Sequence, residues 1–228
     1  MYGNYEQKTP TLKIGNATFI TSAATEKQFI SPSKPMIAVC GKSNVGKSSF
    51  INMLANKKKL AKTSSAPGRT RLVNYFDFGA FILADLPGYG FAQVSKVEKA
   101  KWAKTLDSFF KDKDKIAHVF MLADSRHDPT ADDVQMIEYL NYHIIPFTVV
   151  LTKADKLSKM KVKEHKKAIA ADLYLAEGNL LATSAETGYG KADVLCKIEE
   201  ILALAQNGEE ETAEEEREEN GVGTGEAE

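Results

Sequence analysis

The sequence has few cysteines and no long apolar run, which argues against two broad protein classes. Only two cysteines occur in 228 residues, Cys40 and Cys196, and their wide separation fits neither a disulfide framework nor a metal-ligand pattern. Apolar runs such as 116–123 are far shorter than the roughly 20 residues that a membrane helix needs. No basic region followed by an apolar run opens the chain. We therefore expect reduced cysteines, no secretory signal, no membrane partner and a cytoplasmic location.

Charge is divided unevenly between the body of the chain and its carboxyl-terminal end. The net charge is −1, but from Gly208 onward there are ten glutamates and one basic residue, Arg217. The preceding residues keep 29 basic and 21 acidic side chains. A positive body suits contact with polyanions, for which the acidic end could compete. Ordinary solvated side chains are the alternative interpretation, and charge alone leaves both open.

Short apolar runs alternate with helical stretches, which predicts an α/β fold built from βαβ units. We expect a mostly parallel central sheet with helices on both faces. Predicted strands cover 12–20, 36–40, 73–78, 81–84, 116–123, 147–151 and 180–183, and predicted helices cover 47–55, 96–110, 161–175 and 191–205, with a further helix capped by Thr130. We divide the chain into a flexible amino terminus (1–11), one globular domain (12–207) and an acidic disordered tail (208–228).

A glycine-rich loop predicts a phosphate-binding site. The segment Gly41-Lys42-Ser43-Asn44-Val45-Gly46-Lys47-Ser48 fits the pattern G-x-x-x-x-G-K-[ST], between a predicted strand and a predicted helix. Glycines let successive backbone N–H groups turn toward phosphates, Lys47 can reach the β- and γ-phosphates, and the Ser48 hydroxyl can ligate Mg²⁺. This loop pattern does not separate ATP from GTP.

Two further segments predict contacts with Mg²⁺ and the γ-phosphate. Asp85-Leu86-Pro87-Gly88 ends an apolar strand, so Asp85 can hold Mg²⁺ through a water and the Gly88 N–H can sense the γ-phosphate. Upstream lies Pro67-Gly68-Arg69-Thr70-Arg71, in which Thr70 is positioned to close on Mg²⁺ and the γ-phosphate. A simple Pro-Gly turn is the alternative interpretation of the upstream segment.

Guanine selectivity is predicted by Thr152-Lys153-Ala154-Asp155, which follows another apolar strand. The Asp155 carboxylate can accept hydrogen bonds from guanine N1–H and the exocyclic amine, whereas adenine would leave it unpaired. Lys153 is expected to cover the purine and ribose, and Thr183-Ser184-Ala185 to supply backbone N–H groups to guanine O6. The order of these elements predicts GTP and GDP as ligands.

Several strings in the sequence resemble one bacterial family. GKSNVGKSSFIN, APGRTR, DLPGYGFAQVSK, DSRHDPTADD and TKADK are similar to the EngB (YihA/YsxC) ribosome-biogenesis GTPases, within the TrmE-Era-EngA-EngB-like P-loop GTPases. The resemblance covers about residues 12–205 and implies a Ras-like G domain that hydrolyses GTP with Mg²⁺ during large ribosomal subunit assembly. It also implies a requirement for normal division septum formation. We expect a monomer whose partner is the large-subunit precursor, with its rRNA and ribosomal proteins.

Together the motifs and the resemblance predict one nucleotide site. Its residues are Gly41, Lys42, Ser43, Asn44, Val45, Gly46, Lys47, Ser48, Gly68, Arg69, Thr70, Arg71, Leu72, Asp85, Leu86, Pro87, Gly88, Thr152, Lys153, Ala154, Asp155, Thr183, Ser184 and Ala185. The predicted Mg²⁺ ligands are Ser48, Thr70 and Asp85, and the predicted catalytic residues are Lys47, Thr70, Gly88 and Asn44.

The residue after the D-x-x-G glycine is Tyr89, where Ras-like enzymes have a glutamine that orients the attacking water. We therefore expect slow intrinsic turnover, at or below about 10⁻³ s⁻¹. A partner, or K⁺ held by Asn44, could replace the glutamine, since Asn44 resembles the cation-coordinating asparagine of MnmE-type GTPases. Hydrogen bonding that only stabilises the loop is the alternative role for Asn44.

Two lysine clusters are candidates for rRNA phosphate contact or, equally, plain solvated surface. They are Lys57, Lys58, Lys59 and Lys62, and Lys159, Lys161, Lys163, Lys166 and Lys167. Two other functions stay open at this point. One is an ATP-using P-loop enzyme, and the other is an RNA-binding module whose GTP site only stabilises the fold.

Overall fold

The structure is a computed structural model that describes residues 9–62, 72–90 and 96–221. For residues 96–99 and 209–221 it describes the helical backbone only. The described residues form one seven-stranded sheet with strand order β1-β3-β4-β2-β5-β6-β7. Its strands are β1 (Thr18–Ala23), β2 (Met36–Gly41), β3 (Val73–Asp77), β4 (Ile82–Asp85), β5 (Ile116–Asp124), β6 (Phe147–Thr152) and β7 (Leu180–Ala182). Strand β3 is antiparallel to β1 and β4, and every other pair is parallel.

Five α-helices of the described chain cover both faces of this sheet. They are α1 (Lys47–Leu54), α2 (Lys96–Phe110), α3 (Ala131–Tyr142), α4 (Lys159–Asp172) and α5 (Lys191–Gly221). Core residues of α1 and α5 belong to one apolar cluster, and those of α2, α3 and α4 belong to the other. The predicted α/β class, with a mostly parallel sheet between helices, is confirmed.

Strand β2 shows why the sequence folds into this layered arrangement. Alternate side chains of a strand point to opposite faces. Accordingly Ile37 and Val39 pack in the α1–α5 cluster, and Ala38 and Cys40 pack in the α2–α4 cluster. All six residues of β2 are buried, as expected for a parallel strand covered on both sides. Burial raises the pKa of Cys40 to about 12, so this free thiol stays protonated, and neither cysteine forms a disulfide.

The amino-terminal segment differs from the prediction of a strand over 12–20. Strand β1 starts only at Thr18, and residues 9–17 have no regular secondary structure. The backbone N–H groups of Thr11 and Leu12 donate to the Glu199 carboxylate of α5 rather than to a neighbouring strand. Thr11, which we placed in the flexible terminus, is therefore anchored to the domain. Residues 1–8 lie outside the described part of the chain.

The last helix continues beyond its predicted end at residue 205 and replaces predicted disorder over 208–221. Helix α5 runs without interruption from Lys191 to Gly221. Glutamate, which dominates residues 208–221, has high intrinsic helix propensity, and no proline interrupts the stretch. Residues 222–228 lie outside the described part of the chain. No helix within the described ranges is long and apolar enough to cross a membrane.

Helix α4 is also displaced from its prediction, because its caps lie earlier in the chain. It spans Lys159–Asp172 rather than 161–175, and the Ser158 hydroxyl accepts a hydrogen bond from the Lys161 N–H at 3.3 Å. The predicted cap of α3 is confirmed, since Thr130 and Asp133 form a capping box.

Candidate functional site

The predicted phosphate loop lies at the carboxyl edge of the sheet, between β2 and α1. Gly41 has φ 151°, and a Cβ there would lie 2.7 Å from the Leu122 carbonyl oxygen, so only glycine fits. Asn44 and Gly46 also have positive φ values, 64° and 114°. The Thr152 hydroxyl donates to the Val45 carbonyl at 2.7 Å, which ties the loop to the end of β6. Backbone conformation and neighbouring strands therefore hold the loop in shape.

Asp85 lies at the end of β4 with an unpaired carboxylate oxygen facing Lys47. Its Oδ1 atom is buried and has no hydrogen-bond partner, and the Lys47 Nζ atom is 3.9 Å away. Burial raises the pKa of Asp85 above its usual value, although Lys47 and a hydrogen bond from Asn74 oppose this shift. The unpaired Asp85 oxygen lies beside Lys47, and Ser48 is the next residue along the chain. A carboxylate oxygen and a hydroxyl are ligands that suit a divalent cation which also contacts phosphate.

Gly88 approaches the phosphate loop so closely that a side chain at this position would displace the Ser43 and Lys47 side chains. A Cβ at this position would lie 2.9 Å from the Ser43 Oγ atom and 3.2 Å from the Lys47 Nζ atom. The Ser43 N–H donates to the Tyr89 carbonyl oxygen at 2.8 Å. The loop and the segment after β4 are thus joined through their backbones at the position predicted for the γ-phosphate.

The Tyr89 side chain points into the core, away from the phosphate loop. It is 4% exposed, its hydroxyl donates to Asp133 Oδ1 at 2.8 Å, and its ring packs edge-on against Trp102. Burial, together with nearby acidic groups including Asp133, raises the pKa of Tyr89 well above its usual value, so the hydroxyl remains a donor. Trp102 donates its indole N–H to the Pro87 carbonyl at 3.0 Å. Residue 89 therefore stabilises this segment rather than facing the nucleotide.

The aspartate that the sequence predicts to recognise the base, Asp155, is held by two donors. Asp155 Oδ1 accepts a hydrogen bond from the Ser184 hydroxyl at 2.7 Å, and Lys156 Nζ lies 2.9 Å from Oδ2. These contacts, Ser184 first, hold the pKa of Asp155 below its usual value. The carboxylate is therefore ionised at neutral pH and positioned at the ends of β6 and β7.

Lys153 is positioned by a carboxylate that the sequence analysis did not assign to the site. Its Nζ atom donates to Asp124 Oδ2 and to the Asn44 carbonyl, both at 2.9 Å. Arg126 also donates to both oxygens of Asp124. Burial opposes ionisation of Asp124, but the Arg126 and Lys153 hydrogen bonds outweigh it and hold its pKa well below the usual value. The only sequence feature that could have indicated a role for Asp124 is that it is an acidic residue at the end of an apolar strand, β5.

Of the three backbone N–H groups predicted to donate to guanine O6, those of Thr183, Ser184 and Ala185, only one is available. The Thr183 N–H donates to the Leu151 carbonyl at 2.7 Å, and the Ser184 N–H donates to the Tyr189 carbonyl at 3.0 Å. Among the hydrogen bonds of the described residues, none uses the Ala185 N–H. Because two of the three N–H groups are already bonded within the protein, Ala185 is the residue that can donate to guanine O6.

The structure therefore brings together the phosphate loop, Asp85–Gly88, Thr152–Asp155 and the Thr183–Ala185 segment at one edge of the sheet. Leu72 precedes β3 and is half-buried. Predicted site residues Gly68, Arg69, Thr70 and Arg71 lie outside the described residues. Within the described ranges, no group of three His, Cys, Asp or Glu residues could hold a metal by itself.

The two lysine clusters differ in their surroundings. Lys57 donates to the Asn16 side chain and the Ala17 carbonyl, so it serves the fold rather than presenting a free cation. The cluster on α4 is mostly exposed, and none of the salt bridges of the described residues involves it. Lys58, Lys59 and Lys62 are exposed as well, so both clusters stay candidates for contact with a polyanion.

Comparisons with known proteins identify the family. Residues 36–153 match a family model described as "50S ribosome-binding GTPase". A probable GTP-binding protein EngB from Geobacillus kaustophilus is 43% identical over 194 residues, covering 84% of this chain and 100% of the relative. Another from Pelotomaculum thermopropionicum is 47% identical over 196 residues, covering 85% and 99%. The chain belongs to the EngB family of GTP-binding proteins. It is a P-loop GTPase that binds guanine nucleotides and hydrolyses GTP.

Solved structures support the same fold. A crystal structure of a probable GTP-binding protein engB matches with a TM-score of 0.63 and 22% identity, covering 74% of this chain and 98% of that chain. The structure of Era in complex with MgGDPNP and nucleotides of 16S ribosomal RNA matches with a TM-score of 0.56 and 21% identity, covering 74% and 56%. The EngB-family membership favours guanine over the ATP-using enzyme that the sequence had left open.

Proposed function

We propose that this GTPase is a nucleotide switch in the assembly of the large ribosomal subunit and acts as a cytoplasmic monomer. The description of the matching family model as "50S ribosome-binding GTPase" supports the ribosomal partner. The exposed lysines of α4 supply a surface that suits rRNA phosphates. By its resemblance to the EngB family, we also expect loss of the protein to disturb division septum formation.

The contact that carries the proposed switch is the close approach of Gly88 to Ser43 and Lys47. A γ-phosphate bound by Lys47 and the Gly88 N–H would lie between the phosphate loop and the segment after β4. Loss of that phosphate on hydrolysis removes a bond between these two elements. Because Tyr89 and Pro87 are bonded to α3 and α2, any shift of Gly88 reaches both helices.

We assign Mg²⁺ to the Ser48 hydroxyl and, through water, to the unpaired Oδ1 of Asp85. Thr70 stays the predicted third ligand. Mg²⁺, when bound, neutralises charge on the β- and γ-phosphate oxygens. Lys47 binds the same oxygens and stabilises charge on them during transfer to water, while the loop N–H groups orient the phosphates.

We propose slow intrinsic hydrolysis, at or below about 10⁻³ s⁻¹, because the Tyr89 side chain is buried and no residue at this position orients the attacking water. A ribosomal partner or K⁺ near Asn44 would supply the missing stabilisation. Replacing Na⁺ with K⁺ should raise turnover several-fold, measured as phosphate release. An unchanged rate would remove the cation from the mechanism.

The ribosomal role is tested by cosedimentation with large-subunit particles. Binding should be at least tenfold stronger with a nonhydrolysable GTP analogue than with GDP, and it should weaken linearly with the logarithm of salt concentration. Equal binding in both nucleotide states would contradict the switch. It would favour instead an RNA-binding module in which nucleotide only stabilises the fold.

A further inference from the structure

Helices α3 and α4 end in the same hydrogen-bonded cap. After α3, Ile144 N–H donates to Asn141 O at 3.0 Å, and Ile145 N–H donates to Leu140 O at 2.9 Å. After α4, Tyr174 N–H donates to Ala171 O at 3.1 Å, and the Leu175 N–H donates to the Ala170 carbonyl at 2.8 Å. Both patterns are Schellman motifs, which place one residue in the left-handed conformation, usually glycine or asparagine.

Here the left-handed positions hold large apolar residues. Ile144 has φ 56° and Tyr174 has φ 54°. A β-branched residue such as isoleucine is strongly disfavoured in this conformation. Burial does not compensate for the strain, since Ile144 is 81% exposed and Tyr174 is 96% exposed. Helix α1 ends in the same motif with Asn56 at the equivalent position, φ 53°, so the chain uses a preferred residue elsewhere.

The two strained residues lie at the same edge of the molecule. Helices α3 and α4 pack on one face of the sheet and lead into β6 and β7, which are paired neighbours. Both helix ends therefore lie at the amino edge of the strands, opposite the nucleotide site. Tyr142, in the last turn of α3, is 83% exposed at this edge. We call Tyr142, Ile144 and Tyr174 the amino-edge patch.

Exposed carboxylates outnumber unpaired lysines in the segments that end α3 and α4 and in the loop before β5. Glu138 precedes Tyr142 by one helical turn, and Asp172 and Glu177 flank Tyr174 along the chain, all three exposed. In the loop before β5, Lys111 pairs with Glu26 and Lys115 with Asp112, whereas Lys113 donates to the neutral His143 carbonyl and keeps its positive charge. Such a border repels nucleic-acid phosphates and attracts basic side chains.

We propose that the amino-edge patch is a docking surface for a basic ribosomal protein of the large-subunit precursor. This inference rests on the proposed function and adds a second contact, separate from the basic surface of α4. Exposed tyrosines are frequent anchors of protein interfaces. Backbone strain that side-chain burial does not offset is typical of functional positions. The patch thus assigns ribosomal protein to the ends of α3 and α4 and leaves rRNA to the basic surface along α4.

Glycine substitutions at Ile144 and Tyr174 distinguish a loss of particle binding from a loss of stability. Because glycine adopts the left-handed conformation freely, the double variant Ile144→Gly/Tyr174→Gly should keep or raise the melting temperature, by up to about 2 °C. Its GTPase rate should be unchanged. Its affinity for large-subunit precursor particles should fall at least tenfold. Leu204→Ala is the matched control, since it removes a side chain that is 71% exposed on α5, across the sheet, and it should bind as the wild type does.

The outcomes separate this inference from the proposed function. Nucleotide-dependent particle binding that the double variant retains within twofold would overturn the docking surface alone. Failure of the wild type to bind particles in any nucleotide state would overturn both proposals. Weaker binding of the double variant to protein-free rRNA would identify RNA as the occupant and contradict a protein partner. A wild-type dimer that the variant abolishes in sedimentation would instead make the patch a contact between two copies.

Discussion

The base-binding and phosphate-binding halves of the nucleotide site differ in how completely their polar groups are paired. In the base half, Asp155 and Lys153 already have partners at 2.7 to 2.9 Å. In the phosphate half, Asp85 Oδ1 and Ser43 Oγ are buried without hydrogen-bond partners. The same chain thus builds one half that is preorganised and one half whose polar groups are unsatisfied without a ligand.

This difference assigns separate tasks to the two halves. A paired, preorganised base site loses little conformational entropy on binding and can discriminate guanine in both nucleotide states. Unsatisfied buried groups cost free energy, and a ligand that pairs them recovers it. We therefore expect the phosphate half to carry most of the affinity and the response to hydrolysis, and the base half to carry selectivity.

The largest effect should come from Lys47→Ala in the phosphate half. Loss of charge-assisted hydrogen bonds to the β- and γ-phosphates should weaken GTP binding about 100-fold to 1,000-fold, and GDP binding less because GDP has only the β-phosphate contact, measured by isothermal titration calorimetry. Lys59→Ala is the matched control, because Lys59 is exposed and lies outside the predicted nucleotide site. Affinity for the Lys47 variant within threefold of wild type would contradict the assignment.

Asp155→Asn tests the base half. An amide presents a donor to the guanine donors, so GTP affinity should fall about 100-fold while affinity for xanthosine triphosphate rises. Competition with a fluorescent nucleotide measures both. Glu186→Gln removes an exposed carboxylate beside Ala185 and should change neither. Unaltered preference for GTP in the Asp155 variant would exclude this residue from base recognition.

A smaller effect is expected at Tyr89, which borders the phosphate half without entering it. Tyr89→Phe leaves the buried Asp133 Oδ1 unpaired, so the free energy of unfolding should fall by about 1–2 kcal/mol in urea denaturation. Tyr142→Phe, at an exposed position, should have no effect. Tyr89→Gln should not accelerate hydrolysis, and a clear acceleration would show that residue 89 reaches the attacking water.

The preference for GTP over ATP should not change when pH is varied from 8 to 5. The pKa of Asp155 lies below its usual 3.8, because Ser184 and Lys156 stabilise the ionised form. Its contribution is present above that value and is lost only as pH falls through the lower, folded-state pKa. The ratio of GTP to ATP affinity should therefore stay constant across this range. A ratio that falls between pH 6 and 5 would contradict the preorganised base half.

Residues that act through local sequence patterns were predictable, and those that act through tertiary contacts were not. The phosphate loop, Asp85 and Asp155 follow apolar strands, and the shared carboxyl edge of those strands brings them together. Asp124 and Asp133 were missed as supporting residues because their partners Lys153 and Tyr89 are distant in sequence. Pairwise contacts between residues that are distant in sequence leave no periodic signal in the chain.

The ends of the helices and strands were less predictable than their presence and type. The antiparallel pair β3–β4 around Gly79 was predicted correctly because a glycine turn separates two apolar runs. The predicted strand over 12–20 was misplaced: residues 12–17 contain β-branched and apolar side chains but form no strand, and the Thr11 and Leu12 N–H groups bind Glu199 of α5. The N–H groups of Thr183 and Ser184 were likewise bonded within the fold, which local sequence cannot reveal.

Trp102 makes the protein its own optical reporter. It is the single tryptophan of the chain, and its indole is bonded to the backbone of the segment that carries Gly88. Tryptophan emission from the unlabelled protein therefore arises at one position beside the phosphate half. Nucleotide exchange and hydrolysis can be followed in real time without a dye or an introduced fluorophore.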